Sequence, residues 1–141
     1  MLKIMETGEL SIVFSGYENE MNDFLNINPG LKSRIPFIIK FQDYTSQELY
    51  QIFYKMCKDD NYKLSRGIKE VLLQHFETAR KQKDFGNGRY CKTLYDKVRF
   101  AMSDRAVLEK STNLNLIKKC DVLNAIDSIE FIEQEKRKIG F

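Results

Sequence analysis

The sequence has one histidine, two prolines, seven glycines and three cysteines among 141 residues, and each scarcity removes a class of function. A single histidine rules out a multi-histidine metal site, and His75 lies on the helical pattern of "VLLQHFETA", where it reads as structural rather than as the base of a triad. Cys57, Cys91 and Cys120 are odd in number, far apart and outside any CxxC or Cys/His spacing. They imply neither a disulfide framework nor a zinc site and are read as free thiols, buried or half-buried. No apolar run approaches the roughly 20 residues of a membrane-spanning helix. The first residues lack the apolar core of a signal peptide, so a cytoplasmic location without a membrane partner is expected. There is no GxxxxGK[ST] loop to cradle phosphates and no apolar strand ending in adjacent carboxylates to hold magnesium. A complete nucleotide hydrolase cannot be assembled from these residues, and no metal-ligand set is predicted.

What is present is a helix-rich, globular composition: 43% apolar and 30% charged residues, enough for one domain or for a small domain carrying a fragment of another. The net charge of +3 is uneven. Residues 1–60 carry 6 basic and 9 acidic side chains, whereas residues 61–141 carry 17 and 11. A basic second part permits an anionic partner, although basic helices are usually solvated faces.

Hydrophobic periodicity divides the chain near residue 42. In residues 9–17, "ELSIVFSGY", the run Ile12, Val13, Phe14 predicts a buried strand, and "PFIIKF", residues 36–41, predicts another. Between them "ENEMNDFLN" places Met21, Phe24 and Leu25 on one helical face. Two strands cannot bury both faces of a sheet, so the rest of that sheet is expected on other chain. From Thr45 the period is helical. "TSQE" has the form of a capping box, followed by Leu49, Ile52, Phe53 and Met56 on one face. A second helix is predicted from Ser65 with Ile68, Val71, Leu72, Phe76 and Ala79 inward, and a third over residues 89–108 with Leu94, Val98, Ala101 and Met102 inward. A last helix, capped by Asp121, buries Val122, Leu123, Ile126 and Ile129. The expected fold is therefore mainly α. Residues 1–42 form a partial α/β segment with two strands, and residues 43–141 form a four-helix bundle.

Two loops can carry chemistry. In "NPGLKSRIP", residues 28–36, Pro-Gly favours a tight turn that Leu31 anchors while Arg34 projects. An arginine offers a planar fork of donors that fits phosphate oxygens at any working pH. Taken alone, the pattern fits an exposed or acid-paired loop arginine better. In "DFGNGRY", residues 84–90, Gly86 and Gly88 allow close backbone approach and Arg89 stands at a helix N-terminus, where a phosphate also meets backbone donors. A Gly-Asn-Gly helix cap with an exposed arginine explains the same residues.

The order of these parts, a strand ending "SGY", then "MNDFLNINPGLKSRIP", "FQDYTSQEL" and "FGNGRY", resembles the C-terminal part of CbxX/CfxQ-type AAA+ ATPases. That family includes the stage V sporulation protein K group and the red-type Rubisco activases. The resemblance implies that residues 1–42 are the end of the large α/β ATPase domain, that residues 43–141 are the helical lid, and that Met1 is a truncation boundary. It implies ATP with magnesium as the cofactor of the full-length ATPase. The implied partners are neighbouring subunits of a ring, a hexamer when complete, and a protein substrate to be remodelled. Carried over by motif, Arg34 matches the arginine finger acting in trans, and Arg89 the sensor-2 arginine, flanked by Gly86, Asn87 and Gly88. Tyr17 falls in the sensor-1 region, where "SGY" lacks the usual Asn or Thr. Lys32 and Lys92 stand where relatives often have arginine. Two other readings remain: a small basic helical nucleic-acid-binding module, suggested by Tyr90, Tyr95 and Phe100 among basic residues, and an adaptor bundle.

Overall fold

The computed structural model describes residues 12–82, 85–110 and 113–139, with side chains as far as residue 130. The chain divides into two compact units, Met1–Gln42 and Asp43–Phe141. The first contains α1 (Glu18–Ile27) and the single-turn α2 (Pro29–Lys32), which pack on each other with Leu25 and Leu31 as the buried side chains. Pro29 opens α2 at a position where its missing N–H is not needed.

The predicted strands of this unit do not form. Residues 12–17 and 36–41 have no strand pairing, and residues 9–11 lie outside the described part. Val13, Phe37, Ile39 and Phe41 are all more than three-quarters exposed. The physical reason is the one foreseen for an incomplete sheet: a strand is held by a hydrogen-bonding neighbour, and these two segments do not pair with each other.

The second unit is the expected four-helix bundle: α3 (Ser46–Asp59), α4 (Ile68–Ala79), α5 (Gly88–Leu108) and α6 (Lys119–Ile139). At the start of α3 the predicted capping box is complete, with Thr45 Oγ1 accepting from Glu48 N (3.2 Å) and Glu48 Oε2 accepting from Thr45 N (2.8 Å). Helix α4 starts three residues later than predicted because Gly67 takes φ +85°, a left-handed turn that ends the preceding extended segment. The core joins Leu49 and Phe53 of α3, Leu72 and Phe76 of α4, Leu94 and Val98 of α5, and Val122 of α6. Tyr95 is also inside, edge-on to Phe53 at 5.7 Å, with its hydroxyl donating to Asp60 Oδ2 at 2.6 Å. Among the described residues no helix is long and apolar enough to cross a membrane.

The only strands among the described residues are β1 (Lys63–Leu64) and β2 (Leu116–Ile117), a parallel pair with Lys63 opposite Leu116 and Leu64 opposite Ile117. It ties the α3–α4 connection to the α5–α6 connection. A buried ion pair holds the same corner. Asp121 is fully buried; Arg105 Nε donates to its Oδ1 at 2.7 Å and Arg105 Nη2 to its Oδ2 at 3.1 Å. Nη2 also reaches Leu116 O at 2.9 Å, and Lys118 N donates to Asp121 Oδ2 at 2.8 Å. Asp121 was expected to be the helix cap. It lies inside the first turn instead and satisfies the N–H of the residue that precedes the helix.

Removing one partner leaves the other charge buried and uncompensated, so Arg105→Ala and Asp121→Ala should each lower unfolding free energy by about 3–5 kcal/mol in urea titrations. Arg105→Lys should not restore it, because a point charge cannot replace the two-pronged contact. The thiols give a second test. Burial pushes Cys57 and Cys91 up to about 12, while Cys120 is exposed. The native chain should therefore react rapidly with a disulfide reagent at one thiol, and Cys120→Ser should abolish that phase.

Candidate functional site

The "DFGNGRY" turn closes onto the start of the second unit. Asn87 takes φ +47°, ψ −118° just before α5, and its side chain caps none of the helix's own N–H groups. Its Nδ2 donates instead to Asp43 Oδ1 (2.6 Å) and Phe85 O (3.3 Å), and its Oδ1 accepts from Tyr44 N (3.0 Å). Gly86 O accepts from Arg89 N (2.9 Å) and Tyr90 N (3.3 Å), and Asn87 O from Cys91 N (3.0 Å). The free backbone donors expected for a phosphate are thus reduced at this terminus, three of its N–H groups being bonded within the turn. What the turn does present is the Arg89 side chain, exposed and without a hydrogen bond or ion pair to the described residues. Gly86 is also exposed, and a Cβ there would sit 3.4 Å from Tyr90 N.

Behind Arg89 the next residue is anchored. Tyr90 Oη and His75 Nε2 are 2.7 Å apart, the two rings stack at 5.9 Å, and Phe85 lies 5.0 Å from Tyr90. His75 therefore braces α4 against α5, in keeping with a structural role. A cleft of about 250 Å³, lined in part by Gln74, His75, Thr78, Tyr90 and Glu130, opens beside this brace.

In the first unit, the predicted turn at Pro29-Gly30 is a full helical turn, with Asn28 O accepting from Leu31 N (2.9 Å) and Lys32 N (3.1 Å). Leu31 is 5% exposed and anchors it, as expected. Arg34 is exposed just beyond. Its Nη1 folds back to donate to Gly30 O at 2.9 Å, so the projecting arginine is partly held by its own turn. Tyr17 is 68% exposed at the N-cap of α1, where its carbonyl accepts from Met21 N at 2.9 Å.

The sequence profile of the AAA lid domain matches residues 45–132. The chain belongs to that family. It is 34% identical over 121 residues to the CfxQ homologue of Galdieria sulphuraria, covering 84% of this chain and 39% of the relative. It is 33% identical over 107 residues to the chloroplastic ribulose bisphosphate carboxylase/oxygenase activase of Cyanidioschyzon merolae, covering 74% and 36%. With stage V sporulation protein K of Bacillus subtilis (strain 168) it shares 34% identity over 92 residues, covering 63% and 29%. The chain spans about two-fifths of the length of the first two of these curated relatives. The resemblance to the C-terminal part of CbxX/CfxQ-type AAA+ ATPases is borne out by these matches, and the lid match falls within the helical second unit.

Within the lid, two of the three aromatics that suggested nucleic-acid stacking are taken up elsewhere. Tyr95 is 2% exposed in the core and Tyr90 is hydrogen-bonded to His75, while Phe100 is 72% exposed. The sequence did not reveal that Asp43 and Tyr44 serve the Asn87 turn, since nothing local marks contacts across more than 40 residues.

The cap that follows this junction carries a pH signature. The Thr45 backbone N–H, and then its hydroxyl, hold the Glu48 carboxyl below its ordinary value of 4.5; Lys118, and then Arg105, do the same to Glu109. A carboxyl depressed in the folded state stabilises the fold above about pH 4.5, and that contribution is lost as the pH falls through its folded value. Thermal melts between pH 7 and pH 3 should show this acid loss, and Glu48→Gln, which keeps a capping amide, should make it shallower.

Proposed function

We propose that this chain is the nucleotide-sensing lid and arginine-finger segment of a ring-forming AAA+ ATPase that couples ATP hydrolysis to remodelling of a protein partner. The observation that carries the reading is Arg89, exposed at the opening turn of α5 in a lid whose family membership is established. In this reading Arg89 contacts nucleotide in its own subunit through its side chain, Gly86 and Gly88 give the approach, and lid movement reports nucleotide state. Arg34 reaches the nucleotide of a neighbouring subunit, where its charge stabilises the phosphoryl-transfer transition state. Tyr17 is assigned to the sensor-1 region. Magnesium and the phosphate cradle would come from an ATPase domain, ATP being the cofactor of the complete enzyme. A ring, hexameric when complete, is the assembly in which a finger in trans has a target. A protein substrate is proposed because a relative is named for activating ribulose bisphosphate carboxylase/oxygenase; sporulation is proposed only through kinship with stage V sporulation protein K. The proposed location is the cytoplasm.

The purified chain should not hydrolyse ATP in a coupled assay, and turnover abolished by Arg34→Ala within that same chain would overturn the proposal. Finger and sensor separate in a chimera in which residues 12–141 replace the matching segment of the Cyanidioschyzon merolae activase. Arg34→Ala should lower kcat by about 10³-fold or more, and mixing those subunits with phosphate-loop-defective ones should recover turnover, since each supplies what the other lacks. Absence of recovery would refute action in trans. Arg89→Ala should raise the Kd for nucleotide; an unchanged Kd would refute the sensor role.

A further inference from the structure

Asn87 flanks the arginine that the resemblance matches to sensor 2, and its amide is already engaged. Both Nδ2 protons have acceptors, Asp43 Oδ1 and Phe85 O, and Oδ1 accepts from Tyr44 N. The orientation of the amide follows from its partners: a backbone N–H can only donate and a carboxylate only accepts, so exchanging N and O would break both contacts. Its backbone sharpens the point. At φ +47°, ψ −118° it occupies the conformation of the first central residue of a type II′ turn, where glycine is favoured, between two glycines that would adopt it with less strain. The side chain there caps nothing in its own helix, and its hydrogen bonds go elsewhere.

Its contacts lie at the start of the second unit. Asp43 is the first residue of the second unit, Tyr44 donates its N–H to Asn87, and Thr45 donates its own to Glu48. Two successive amides at the start of the lid are therefore bonded to side chains. We infer that Asn87 is a positioning residue whose amide clamps residues 43–44 to the turn that opens α5, holding Arg89 in fixed register with the start of the lid. The position of residues 43–44 then bears on Arg89 through one side chain as well as through the bundle. The functional consequence rests on the nucleotide-sensing role proposed for Arg89; the clamp itself does not.

The test uses the full chain labelled with ¹⁵N. Asn87→Gly removes the amide and relieves the backbone, while Asn87→Ala removes the amide and keeps the strain. In both, Tyr44 N–H exchange should quicken roughly fivefold to tenfold, the worth of one hydrogen bond. The Arg89 amide resonance should shift and its order parameter fall. Exchange of the core amides of Leu72 and Val98 should stay as in the parent for Asn87→Gly. Asn87→Asp sets two carboxylates face to face and should loosen the junction. Adding Asp43→Asn restores an N–H···O contact, and the double variant should exchange more slowly at Tyr44 than Asn87→Asp alone. An unchanged Tyr44 rate in both Asn87→Gly and Asn87→Ala would overturn the clamp. So would a loss of protection spread evenly over the core, or a double variant no slower than Asn87→Asp. None of these readings involves nucleotide, so an Arg89→Ala variant with unchanged nucleotide affinity would sink the sensor role and leave the clamp standing.

Discussion

The geometry of the lid depends on the pair formed by Arg105 and Asp121. A carboxylate with no solvent exposure is tolerable only when its lone pairs are met, and here a two-pronged guanidinium and the Lys118 N–H meet them. Because the same guanidinium bonds to Leu116 O, one side chain of α5 fixes where β2 runs and where α6 begins. Burial and three hydrogen-bonding directions leave the corner little freedom, whereas the apolar core alone tolerates sliding between helices. Glu109 and Lys118 extend the network to the surface, where their 2.8 Å contact is solvated and adds less.

At the opposite end of α5 the restraint is of another kind. The first turn is fixed by Gly86 O and by the Asn87 amide, all short-range contacts or contacts to one extended segment. The helix is thus held at its C-terminal end by a buried charge pair and at the end that bears Arg89 by hydrogen bonds of the turn. Arg89 stays accessible, and its neighbour Tyr90 is braced by His75.

Much of this was legible in the sequence because it is local or periodic. The spacing of Leu49, Phe53, Leu72, Phe76, Leu94 and Val98 marks the faces that become the core, and T-S-Q-E fixes the start of α3 to the residue. What escaped is what depends on distant pairing. β1 and β2 are two residues each, too short to have a period, and exist only because their connections meet. Asp121 has the composition of a helix cap, and only the distant Arg105 turns it into a buried ion-pair partner. The opposite failure occurs at Ile12–Phe14 and Phe37–Phe41. There the β-forming composition is real, but composition supplies no neighbour, and Val13, Phe37, Ile38, Ile39 and Phe41 remain largely exposed.

The two candidate arginines illustrate how far local reading reaches. Both sit just beyond glycine-containing turns, and in both the turn forms, but the turns act on them differently. Gly30 O holds Arg34 back through Nη1, a solvated hydrogen bond worth about 1 kcal/mol. Gly86 O takes the Arg89 backbone N–H and leaves the side chain outward. The difference in restraint arises from which atom of each arginine donates to the nearby glycine carbonyl, a side-chain nitrogen of Arg34 and the backbone N–H of Arg89.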